Sequence, residues 1–173
     1  MKRILIALAV FASVQVADAQ NTAAAKKAVE AAEAASQNVK KATKVATWMK
    51  LAQAYVAAYD APAGNAWIGA DQTTLALSLG SDKPVSEQNI VMNGQPYLKQ
   101  VFADKNFYIN AAGILEIIEV TKPVVENPLQ KALDAFKKAA EIDAAGSKNR
   151  DIAAGIKVVS EKFNNEAYNS YGL

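Results

Sequence analysis

The apolar positions of the chain follow the helical period in three stretches and change towards the strand period in one. Val45, Trp48, Ala52, Tyr55 and Tyr59 recur at intervals of three and four, which puts them on one stripe of a helix. Asp60-Ala61-Pro62-Ala63-Gly64-Asn65 then ends that helix with turn residues. Leu129, Ala132, Leu133, Phe136, Ala139 and Ala140 mark a second amphipathic helix. It enters at Pro128, is decorated outside by Lys131, Asp134, Lys137 and Lys138, and is closed by Ala144-Ala145-Gly146. Asp151 opens a third, with Ile152, Ile156, Val159, Phe163 and Ala167 directed inward. Gly155 inside it costs about 1 kcal/mol relative to alanine.

Weaker signals fill the gaps. Residues 22–36 are alanine-rich and read as a helix with a polar outer face, on which Lys26 and Glu30 sit one turn apart. Ser36-Gln37-Asn38 either interrupts that helix or is carried through it. Asp71 caps a short helix that runs to Leu79 and stops at Gly80, and residues 81–88 read as a polar loop. From Asn89 the period changes. Ile90-Val91-Met92 and residues 97–102 flank Asn93-Gly94, a strong hairpin signal because both turn residues accept positive φ. Residues 107–110 and 114–120 continue the pattern, although Glu116 and Glu119 fall on opposite faces if alternation is strict. Residues 89–121 thus form a small antiparallel meander that needs a helix to pack on.

At the amino terminus, Lys2 and Arg3 precede an apolar run over residues 4–14, and Ala17-Asp18-Ala19 supplies small residues for a signal peptidase. Residues 1–19 are therefore expected to be a signal peptide, cleaved before Gln20. The apolar run falls short of the roughly 20 residues that span a bilayer. With no Cys after the leader, a lipid anchor on cysteine is excluded. The expected product is one domain over residues 20–173, exported to the periplasm or the cell surface, without stable membrane insertion.

The 173 residues include neither Cys nor His. Thiolate and Ser-His-Asp nucleophiles, disulfides and zinc sites built on Cys or His are thereby excluded. Loss of the leader leaves 17 basic and 16 acidic residues, a balance that gives nucleic acid no field to follow. The sequence has no Gly-rich phosphate loop and no calcium loop, and no carboxylate pair sits in an apolar setting. The expectation is a protein that is not an enzyme and uses neither cofactor nor metal.

Trp48-x-x-Leu51-Ala52-x-x-Tyr55 resembles the first-helix pattern of a tetratricopeptide repeat, with Ala for the usual Gly. Ala132-x3-Phe136-x2-Ala139 resembles the second-helix pattern. The end of the last helix looks like the opening of a further repeat, which implies a longer protein. The resemblance implies a mainly α fold: an α-solenoid of antiparallel helical hairpins carrying a small inserted β-meander. It departs from the family in that residues 56–131, including the expected sheet, separate the two half-motifs. It also implies a scaffold for protein–protein interaction in the cell envelope, with Met49, Gln53 and Val56 facing the partner peptide. The Lys and Asn that clamp a peptide carboxylate in some family members are absent from the first two of these positions. Trp67, in a loop between Asn65 and Gly69, is a further candidate contact. The alternative is a small-ligand or glycan-binding protein in which Trp67, Tyr97 and Phe107 form a stacking surface where helix meets sheet.

Overall fold

The computed structural model describes residues 17–172, with side-chain surroundings for residues 21–168. Residues 1–16, the bulk of the expected leader, lie outside that range. The order of elements is α1 (Ala17–Gln37), α2 (Val39–Ala42), α3 (Val45–Asp60), a 3-10 turn (Ala61–Ala63), α4 (Gln72–Leu79), β1 (Ser86–Met92), β2 (Gln95–Val101), β3 (Lys105–Asn110), β4 (Leu115–Val120), α5 (Pro128–Ile142) and α6 (Asn149–Gly172).

Local chemistry sets most boundaries. The first helix stops at Gln37, because the Asn38 side chain accepts from the N–H groups of Lys40 and Lys41 and so caps the separate turn α2. Asp71 caps α4 through the Thr74 N–H at 2.9 Å. Asn127 takes the left-handed conformation at φ 51° ahead of Pro128, the first residue of α5. The turn into α6 is built around Asp143. This buried carboxylate accepts from the Ser147 N–H and hydroxyl, each at 3.1 Å, and from the Lys148 N–H at 2.6 Å.

Among the described residues, two hydrophobic cores result. The first is made by helices. Val29 of α1, Leu51, Ala52, Tyr55 and Ala58 of α3, Leu129, Ala132, Ala135, Phe136 and Ala139 of α5, and Ile152 and Val159 of α6 are all buried together. Helix α3 packs between α1 and α5, and α6 packs on α5. The second core joins α4 to one face of the sheet: Ala70, Leu75 and Leu79 meet Phe102, Phe107, Ile109 and Leu115.

The sheet is an antiparallel meander in the order β1-β2-β3-β4. The hairpin at Asn93-Gly94 has both residues at positive φ, as the sequence requires. β1, however, starts at Ser86, inside the stretch read as a loop. Ser86, Glu87, Gln88 and Asn89 are all exposed. An edge strand wet on both faces has no apolar alternation to betray it.

The fold differs from the expected solenoid of helical hairpins. Among the described residues, six helices accompany a four-stranded sheet that is a central component with a core of its own, not a decoration on stacked repeats. The physical reason is that alanine and aromatic spacing specifies which helix faces can touch, but not the connectivity between them. Helices α3 and α5 do pack together. The chain leaves at Asp60, builds α4 and the whole sheet, and returns at Pro128.

Candidate functional site

The residues singled out in sequence fall into two groups. Leu51, Ala52, Tyr55, Ala132, Phe136 and Ala139 all lie in the helical core, with Ala52, Ala132 and Ala139 fully shielded from solvent. Trp48 packs half-buried at the edge of that core, and its indole N–H donates to the Ala42 carbonyl at 2.8 Å. Tyr55 donates its hydroxyl to Glu33 at 2.6 Å, joining α3 to α1. Burial, reinforced by the Glu33 carboxylate, pushes the Tyr55 phenol well above its ordinary range.

Met49, Gln53 and Val56 line one wall of an open groove of about 590 Å³ between α3 and α6. Ala154, Gly155 and Val158 form the opposite wall, the Phe136 ring contributes to the lining, and Asp60 and Asp151 complete it. Gln53 is exposed, whereas Met49 and Val56 are half-buried against the helical core. Gly155 explains how Phe136 reaches the groove: a Cβ there would stand 2.2 Å from the tip of the Phe136 ring. The glycine costs helix propensity and provides room for an aromatic side chain.

Trp67 is half-exposed in the turn before Gly69, next to the exposed Ile68. The platform of Trp67, Tyr97 and Phe107 does not form. Phe107 is sealed in the core under α4, whereas Tyr97 lies on the other face of the sheet, where its hydroxyl donates to Glu116 at 2.7 Å. The period-2 rule that separates them is the ladder register: Gln100 opposes Phe107, and Tyr97 opposes Asn110.

That second face carries a polar cluster. A register shift beside Tyr108 and Ile109 sets a bulge between β3 and β4. Strict alternation would put Glu116 and Glu119 on opposite faces; the bulge brings both to the side of Asn106, Tyr108 and Asn110. Glu116 accepts from Tyr97 and from Asn110 at 2.6 Å. Glu119 accepts from Asn106 at 2.7 Å and Tyr108 at 2.6 Å, with the Lys99 ammonium 3.9 Å away. The Asn106 and Tyr108 hydrogen bonds hold the Glu119 carboxyl below its ordinary value. Burial, then the Glu119 bond, raises the Tyr108 phenol. Each carboxylate thus spends its acceptor capacity on neighbours in the sheet, and the cluster staples three strands. The alternating polar residues of β3 were its only trace in sequence.

A smaller hollow of about 370 Å³ lies where α4 crosses the sheet. Leu75, Leu79, Leu98 and Ile109 are apolar parts of its lining, and Gln72, Asp82, Glu87 and Gln100 are polar ones. Beside it Lys105, buried at 1% exposure, donates to Asp82 at 2.7 Å and lies 5.2 Å from the Phe102 ring centre.

Among the described residues, no helix is long and apolar enough to cross a membrane, and no group of three or more Asp or Glu is placed to hold a metal ion. No protein-family model, no curated protein and no solved structure matches the chain. Nothing in these comparisons identifies a tetratricopeptide protein, and the resemblance is confined to the two half-motifs.

Proposed function

We infer that this is an exported, non-catalytic binding protein of the cell envelope, which holds a segment of another protein in the groove between α3 and α6. The observation that carries this reading is the open groove itself. Met49 and Val56 present apolar surface, Gln53 presents an amide for backbone contacts, and the exposed Val158 extends the opposite wall. Apolar walls with a few polar groups are what a peptide-binding groove requires. Export rests on the basic start, apolar run and Ala17-Asp18-Ala19 of the leader.

A photo-crosslinking residue at position 53 tests the groove in living cells. A discrete adduct is expected there, lost when Val158→Glu is added, and absent from a control probe at the exposed Lys137. Equal labelling at 53 and 137 would overturn the proposal. Amino-terminal sequencing of the mature protein should begin at Gln20.

A second reading, binding of a small molecule, is favoured by the hollow between α4 and the sheet, with its apolar floor and convergent polar rim. A metabolite that binds only the folded protein raises its melting temperature, and Leu98→Trp in the lining should abolish that rise.

A further inference from the structure

We propose that the protein pairs with a second copy of itself through the outer edge of β1, joining two four-stranded sheets into one continuous antiparallel sheet. The tight turn at Asn93-Gly94 puts Met92 opposite Gln95 as a hydrogen-bonded pair. Alternation along the ladder then turns the N–H and C=O groups of Ser86, Gln88, Ile90 and Met92 towards β2. Those of Glu87, Asn89 and Val91 point away from the sheet. The neighbouring ladder agrees: Phe102 N–H bonds to the Lys105 carbonyl, so residues 98, 100 and 102 of β2 face β3, and the alternate residues 97, 99 and 101 face β1. Among the described residues, nothing pairs with the outward groups of β1.

The two edges of the sheet are treated differently. β4 is guarded at its start, where Gly69 N–H bonds to the Leu115 carbonyl at 2.8 Å and Leu115 N–H bonds to the Ala70 carbonyl at 2.9 Å. It also carries the bulge, and the 3-10 turn and α6 pack against it. β1 has none of these protections. Its register is unbroken over all seven residues, with no proline and one charge, Glu87. Proteins that keep an edge unpaired usually place lysine, proline, a bulge or a cover there.

The strand is complementary to itself. A twofold axis at Asn89 sets Asn89 against Asn89 of the second copy and Glu87 against its Val91. Every outward residue is then paired, the two carboxylates lie at opposite ends, and the facing amides can bond to each other. A register shifted by two in either direction loses a pair. On the remaining face Gln88 meets Ile90.

Sedimentation velocity of the mature protein over a rising concentration series tests this, together with hydrogen exchange at single amides. The expected result is a monomer–dimer equilibrium in which the Asn89 and Val91 amides gain protection as the dimer fills. Asn89→Pro removes an N–H that the β1–β2 ladder does not use, and Asn89→Lys sets two cations face to face. Either should raise the dissociation constant about tenfold or more while leaving the circular dichroism spectrum unchanged. A wild-type protein that stays monomeric with freely exchanging Asn89 and Val91 amides overturns the proposal, as does a dimer that both variants leave intact. Both outcomes are independent of labelling at position 53, so this interface and the groove can fail separately.

Discussion

At the scale of single residues, Gly155 shows that a position can be disfavoured locally and required by its neighbour. Exchange for alanine should gain about 1 kcal/mol of helix propensity. Against that, the new methyl would collide with Phe136, and overpacking of this kind costs roughly 1–3 kcal/mol. Gly155→Ala is therefore expected to destabilise the protein in urea titrations. Placed on a Phe136→Leu background, the same change should be stabilising, a coupling that a double-mutant cycle measures directly. Tyr55 offers a test with a sign in pH. Its phenol is raised above the ordinary value of 10.0, chiefly by burial and further by the Glu33 bond, so the folded state holds the proton more tightly than the unfolded chain. The stability this contributes is complete below pH 10 and is lost as pH rises beyond it. Tyr55→Phe should lose about 1 kcal/mol at neutral pH with the hydrogen bond. Its urea midpoint should then fall less steeply than that of the wild type between pH 10 and 11. Tyr59, pushed up to about 12 by burial and by the charges of Glu166 and Asp60, adds the same slope to both proteins.

Helix faces were legible in the sequence and strand faces only in part. The stripes on α3, α5 and α6 named most of the helical core correctly, because the 3.6-residue period reports one continuous buried face. They overran where a helix outlasts its neighbours: Ala140 and Ala167 are exposed. The strands lost information to two features that no single-sequence pattern carries. The bulge beside Tyr108 reversed the relation between Glu116 and Glu119, and the wet edge of β1 looked like loop. Lys105 was hidden for another reason. A lysine in a strand reads as a solvated position, yet this one is buried, with its ammonium beside the Phe102 and Phe107 rings and paired with Asp82 in the loop before β1. Removing one member of a buried pair costs more than replacing the charge with an apolar group of similar length. Asp82→Ala should therefore destabilise the protein more than Lys105→Met does, and thermal unfolding of the two variants decides it. The reverse order would mean that Asp104, 3.9 Å from the ammonium, is the partner that matters.

At the scale of the whole molecule, the sheet is inserted in sequence between two helices of the first core and shares none of that core's buried interior. Every fully buried member of the first cluster comes from α1, α3, α5 or α6, and every buried member of the second from residues 70–115. Sequence could not show this division. The half-motifs on α3 and α5 state that two helix faces fit, and they are silent on what the chain does between them. Thermodynamics tolerates the arrangement, because closing a longer loop between two packed helices costs only about 0.6 kcal/mol for each doubling of its length. The helical core should then stand without the sheet. A chain in which residues 66–121 are replaced by a short Gly/Ser linker is expected to keep its helical circular dichroism signal and to unfold cooperatively on heating. Residues 124 and 125, which pack on the helical core, are retained. In the intact protein the corresponding observation is two tiers of hydrogen exchange, with the amides of β2 and β3 opening independently of those of α3 and α5. Collapse of the linker variant to a non-cooperative state would show instead that the contacts of β4 with α6 and the 3-10 turn make one cooperative unit of the two cores.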